Sequence, residues 1–157
     1  SKAVEVLKEK GLGNSRIGLE KSYLSAVHWD EMDALLPKAE LIDCTSMMDQ
    51  VRWIKTPSEV ELIREGAQRL DEGYLEVFAT VKAGETERDV HSRLIAACLD
   101  REANWAHGIL NSSRNTVMYG GESGFQFELG DIIRNDYVFW YQGYPGYQSL
   151  TVVLGNP

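Results

Sequence analysis

The sequence predicts an α+β protein in two pieces, a small α/β part over residues 1–52 and a helix-then-sheet part over residues 53–157. Three observations predict it. Helix and strand patterns alternate over residues 1–52. A long amphipathic helix then opens with a cap at Thr56. The chain closes on two β-like runs, "DIIRNDYVFWYQGYPGYQSLTVVLGNP".

Each element has its own signal. "KAVEVLKEKGLG" reads as a short helix stopped by glycines, and "RIGLE" as a short strand. "SYLSAVHWDEMDALLPKA" gives a second helix, with Leu24, Val27, His28, Met32, Leu35 and Leu36 on one side and Pro37 near its end. "ELIDCTSM" is a second strand. Such an αβαβ fragment is too small to bury both faces of its sheet well. The character changes at "VRWIKTPSEVELIREGAQRLDEGYLEVFATV". Thr56 and Glu59 form a capping box with Pro57 at the first helical position. Val60, Ile63, Ala67, Leu70, Tyr74, Val77 and Val81 recur at spacings of three and four, the mark of a long amphipathic helix. "KAGETERDV" turns the chain. Thr86 and Asp89 cap a further helix with Val90, Leu94, Ile95 and Cys98 on its inner face. After Arg101 come "WAHGILNSS", a glycine-rich loop "MYGGESG", and a closing hairpin read as turning at Gly-Pro.

Composition narrows the function classes. No run approaches the roughly 20 apolar residues of a membrane-spanning helix. The lysine-bearing start has no apolar core of a signal peptide. A net charge of −8 with dispersed acids counts against nucleic acid or an anionic membrane as partner. Cys44 and Cys98 lie far apart with no CxxC, which predicts reduced thiols in a cytoplasmic protein. His28, His91 and His107 lack HxH or HExxH spacing, so no zinc site follows from neighbouring ligands. Asp136 is the odd residue. It is one carboxylate in a strand of aromatics, and burying it is costly unless a cation, a donor or a proton satisfies it.

In this order the features resemble the creatinase, prolidase and aminopeptidase P family, whose catalytic domain is the "pita-bread" fold. "RWIKTPSEVELIREGA" is the most telling stretch. "AGETERDV", "SSRNTV" and the closing "GDIIRNDYVFWYQGYPGYQSLTVVLGNP" come in the family's order. The resemblance implies that residues 1–52 end the family's amino-terminal α/β domain and that residues 53–157 form the first half of the catalytic domain. It implies a hydrolase that uses two divalent metals (Mn, Co or Zn) to cleave the bond before proline, or related amide and C–N bonds. The substrate would be a proline-containing peptide or a small amide.

Carried over position by position, the family's first metal-binding aspartate is Asp136, five residues after Asp131. Its second aspartate, counted without a gap, is Tyr147, and the arginine that comes next is Leu150. The substrate-side histidine falls near Tyr119 or Gly120, and the remaining ligands fall beyond Pro157. If positions 136 and 147 oppose each other across the hairpin, two carboxylates there clamp a metal pair. A tyrosine brings no charge at neutral pH and is expected to satisfy Asp136 by a hydrogen bond instead. Asp136 is therefore the one candidate metal ligand. His107, Tyr119 and Tyr147 are candidates for a substrate pocket, and no catalytic residue is assigned. His91 reads as a helix-edge residue and His28 as packing.

Three readings stay open: a metal-dependent Xaa-Pro hydrolase, a metal-independent creatinase-like C–N hydrolase, and a non-catalytic relative acting in binding or assembly. The chain alone is expected to carry few or no metals and to lack peptidase activity. The apolar edge after Val152-Val153-Leu154 predicts a homo-oligomer.

Overall fold

Caps and tight turns, set by a few side chains each, decide where the elements of this chain begin and end. The computed structural model describes residues 2–115 and 121–155, and the chain falls into two compact units, Ser1–Lys55 and Thr56–Pro157.

In the first unit, helix α1 (Lys2–Glu9) leads to strand β1 (Arg16–Leu19), helix α2 (Ala26–Leu35), strand β2 (Glu40–Asp43) and helix α3 (Thr45–Trp53). The two strands pair in parallel, with Ile17 beside Leu41. Val4, Met32 and Leu36 form the core, with Leu7, Ile17, Leu19 and Leu41 against it. Two sequence expectations need correction. Ser25 caps α2, its Oγ accepting from the backbone N–H of His28, so the helix starts later than predicted. That start leaves Val27 and His28 on the outer side. Helix α3 has no counterpart in the sequence reading. It begins because the Asp43 carboxylate accepts both the backbone N–H and the hydroxyl of Thr45, at 2.9 and 2.6 Å. Met47 and Val51 point outward, so no inward apolar stripe announces it.

The second unit opens with helix α4 (Pro57–Phe78) and helix α5 (Glu87–Asp100), both started by complete capping boxes, Thr56 with Glu59 and Thr86 with Asp89. Strands β3 (Trp105–Ser112), β4 (Ile132–Tyr141) and β5 (Tyr144–Val153) form an antiparallel sheet in that order. Leu70, Tyr74 and Val77 of α4 and Val90, Leu94, Ala97 and Cys98 of α5 pack on one face of it, against Leu110, Ile133, Tyr137 and Phe139. The approach of α4 to β5 is close. A Cβ on Gly146 would sit 2.8 Å from the Ala67 nitrogen and the Gly66 carbonyl carbon. Only a strand residue without a side chain lets the helix backbone lie there.

The closing hairpin does not turn at Gly-Pro. Tyr141 pairs with Tyr144, and Gln142 and Gly143 make the turn with φ of +48° and +86°. Two left-handed residues are what a tight hairpin needs. Pro145 instead lies in β5 opposite Trp140, where an edge strand tolerates its missing N–H.

Candidate functional site

Strand alternation gives β4 two different faces. Ile133, Tyr137, Phe139 and Tyr141 point to the helices and are buried, while Ile132, Arg134, Asp136, Val138 and Trp140 point to the other face. The register builds that face in rows across the three strands: Trp105–Trp140–Pro145, then His107–Val138–Tyr147, then Ile109–Asp136–Ser149. Asp136, His107 and Tyr147 line one cavity of about 200 Å³ with Gly108, Ile109 and Val138. Beside it, Trp105 stacks on His107 with ring centroids 5.7 Å apart and meets Trp140 edge-on at 6.5 Å. Asn104, Trp105, Trp140 and Gly143 line a larger hollow of about 380 Å³ there.

The register corrects the expected partner of Asp136. Ser149, not Tyr147, stands directly opposite it, and Tyr147 stands opposite Val138. The physical reason is the turn. Pairing 136 with 147 would centre it between Tyr141 and Gln142, whereas the two left-handed residues Gln142 and Gly143 centre it later. Tyr147 keeps the same face as Asp136 but one row away. Its phenol oxygen accepts from the Ser149 hydroxyl at 3.3 Å. Leu150 faces the helices and packs on the core, so it takes no part in this face. Tyr119 lies outside the described residues.

The other histidines also find definite places. His28 is on the surface, its Nδ1 2.9 Å from the Ser25 hydroxyl, and does not pack in the core. His91 is more than a helix-edge residue. Its Nδ1 lies 2.6 Å from the Tyr137 hydroxyl on the helix face of β4.

Sequence reasoning missed Glu87. At the first position of a capped helix it reads as an ordinary acid favoured by the helix dipole. In the structure it is fully buried. Oε1 accepts from the backbone N–H of Ser112 at 2.8 Å, and Oε2 from the backbone N–H and hydroxyl of Ser123 at 3.1 and 2.7 Å. The Asn115 amide donates to both oxygens at 3.1 and 3.0 Å. One carboxylate thus ties the end of β3, the turn after it and residue 123 to the start of α5. The run of polar residues at 111–115 was the available signal. Nearby, Asp131 accepts from Arg114 at 2.6 and 3.0 Å, which holds its carboxyl below the usual range.

The described residues by themselves supply too few anionic donors for a pair of divalent ions. Opposite Asp136 stands a serine hydroxyl, and among the described residues no group of three or more His, Cys, Asp or Glu side chains could hold a metal. Two ions in one site need several anionic ligands to offset their mutual repulsion.

An acid, an imidazole and a phenol around one cavity, on the open face of a helix-backed sheet, suit proton transfer to a small ligand. The chain belongs to metallopeptidase family M24, whose profile matches residues 61–157, and residues 1–54 match the creatinase/prolidase N-terminal domain. It is 23% identical over 151 residues to the uncharacterized peptidase YqhT of Bacillus subtilis (strain 168), covering 94% of this chain and 43% of that protein. It is 25% identical over 149 residues to the Xaa-Pro dipeptidase of Lactobacillus helveticus, covering 88% of this chain and 39% of the relative. The solved Xaa-Pro dipeptidase from Bacillus anthracis superposes with a TM-score of 0.87 at 26% identity, over 98% of this chain and 44% of that one. The chain therefore spans less than half the length of these relatives. The family and the start of the pita-bread fold are those implied by the motifs.

Proposed function

We propose that this chain carries the Asp136 face of a peptidase-type hydrolase acting on Xaa-Pro peptides or related small amides. The observation that carries the reading is the shared cavity of Asp136, His107 and Tyr147 on an M24-type sheet. The names of the relatives in Lactobacillus helveticus and Bacillus anthracis support the substrate class. Asp136 would orient a positively charged or proton-donating part of the substrate, and the imidazole of His107 can hold or pass a proton at the same cavity. The indoles of Trp105 and Trp140 offer an apolar wall to a pyrrolidine ring. Were a metal bound, Asp136 would be the residue here to hold it, and the ion would supply Lewis-acid activation of water.

A second reading is favoured by Ser149. With a hydroxyl opposite Asp136, hydrolysis of a C–N bond without metal fits the described donors better than a two-metal mechanism does. The experiment is metal analysis after loading with manganese, cobalt or zinc and desalting, run beside hydrolysis of an Xaa-Pro dipeptide. Metal retained by the wild type and lost in Asp136→Ala supports the metal-dependent reading. Turnover without metal supports the second. No retained metal together with no binding of an Xaa-Pro dipeptide at the Asp136 face sinks both and leaves a binding or assembly role. The chain alone is expected to show no turnover. Cleavage in proportion to its concentration would refute that expectation.

A further inference from the structure

His91 sits on α5 beneath β4 and belongs to no part of the site described so far. Its side chain is only 15% exposed. Nδ1 lies 2.6 Å from the Tyr137 hydroxyl and 3.5 Å from Oε2 of Glu122. Tyr137 is the residue after Asp136, and there is no slack around it. A Cβ on Gly108 would come 2.3 Å from the Tyr137 ring and 2.5 Å from the Asp136 carbonyl oxygen. A shift of that ring therefore acts on the backbone that carries Asp136.

We propose that His91 is a positioning residue for the Asp136 site. Neutral, it accepts the Tyr137 hydroxyl proton and fixes the neighbour of Asp136; protonated, it donates to Glu122 and lets Tyr137 go. The inference rests on reading Asp136 as a site residue. The chemistry of the pair sets the direction. Burial pushes the Tyr137 phenol up, so it keeps its proton and has one to donate to Nδ1. Nδ1 is then the bare nitrogen, and the ring proton is on Nε2. Adding a proton at Nδ1 removes the acceptor and creates a donor, for which a carboxylate is a stronger partner than a phenol. Burial holds His91 below the ordinary histidine value, Glu122 pulls it back up, and His107 pushes it down. The groups acting on it are thus Tyr137 from β4, Glu122 from the segment before β4 and His107 from β3. Glu87 and Arg88 lie one turn earlier on its own helix.

The test is an NMR titration of the 157-residue chain from about pH 8 to about pH 5, spanning the ordinary histidine value. It tracks the His91 ring and the Asp136 backbone amide in the wild type, His91→Gln and Tyr137→Phe. Glutamine keeps an acceptor for the phenol but does not titrate. Phenylalanine keeps the ring and removes the hydroxyl. The expected result is one shared midpoint below about 6.5 for His91 and for a component of the Asp136 shift. That component is lost in both variants. An Asp136 amide that titrates alike in wild type and His91→Gln overturns the proposal. So does a wild-type amide that stays still through the His91 midpoint, a result available even where a variant does not fold. Neither readout uses turnover, so an inactive protein leaves this test intact.

Discussion

Replacing Glu87 by glutamine removes a charge and keeps the shape, and its hydrogen-bond partners set the cost. Both carboxylate oxygens face donors only. Oε1 takes the Ser112 N–H, and Oε2 takes the Ser123 N–H and hydroxyl, with Asn115 shared between them. Whichever way the glutamine amide is turned, its NH₂ meets a backbone N–H. That N–H is left buried without an acceptor, at a cost of about 1–3 kcal/mol. The remaining hydrogen bonds lose their charge assistance, while relief from burying an anion returns part of the loss. The expected net destabilisation is about 2–3 kcal/mol for Glu87→Gln. Alanine strands both backbone donors and the Asn115 amide, for about 3–5 kcal/mol. At roughly 2–4 °C per kcal/mol for a chain of this size, the glutamine variant should melt about 5–10 °C lower. Urea and thermal unfolding measure it. A loss under about 0.5 kcal/mol, the ordinary range for a surface position, would refute the assignment of Glu87 as the shared acceptor.

Four further outcomes are expected from the same geometry. Gly146→Ala forces a Cβ into the α4 backbone and should cost about 2 kcal/mol or more in urea unfolding, and a neutral result would mean the helix can move away. Asp131 is held low by Arg114, so its stabilisation is present above about pH 4 and is lost as pH falls through the folded value; Asp131→Asn should be less stable at neutral pH and flatter on acidification, and an unchanged acid limb would count against it. Ser149→Asp places a second carboxylate opposite Asp136 and should retain zinc or manganese more tightly than the wild type, and equal retention would refute the row assignment. The exposed Trp105, Trp140 and Tyr147 on the open face of the sheet predict concentration-dependent self-association, against which a monomer by light scattering at high concentration would speak.

Much of the fold was legible because local rules agree with tertiary packing. Thr56-Pro57-Ser58-Glu59 and Thr86 with Asp89 announce two helices through chemistry confined to one turn. The face of β4 that bears Asp136 is given by alternation alone. Register was not legible in the same way. It depends on which two residues make the turn, and "YQGYPGY" offers both Gln-Gly and Pro-Gly. The Asp136–Tyr147 pairing comes from a count along the family motif instead, and the Gln142-Gly143 turn puts Ser149 opposite Asp136. Helix α3 was hidden for another reason. It follows a turn in which the Asp43 carboxylate takes the Thr45 N–H and hydroxyl, and it shows no inward stripe, so neither period nor composition marks it. Glu87 was hidden because its partners lie 24 or more residues away, beyond the reach of any local pattern.

The two faces of β4 are held to different standards, and the difference says where function can reside. On the helix face every position is committed. Gly108 leaves room for the Tyr137 ring, Gly146 admits the α4 backbone, and the Tyr74 hydroxyl donates to the Gln148 carbonyl at 3.0 Å. A change there is answered in stability. On the other face stand an acid, an imidazole, a phenol and two indoles, all more exposed than the core. Folding of this unit does not ask for a carboxylate at 136 or a histidine at 107, since apolar β-formers would fill those strand positions at lower cost. Residues that a fold does not require, gathered around one cavity, are better explained by what they bind. His91 is where the two standards meet, because its bond to Tyr137 lies on the committed face while the neighbouring Asp136 lies on the open one. A proton on the buried side can then be felt on the open side through a single strand residue, without any movement of the helices.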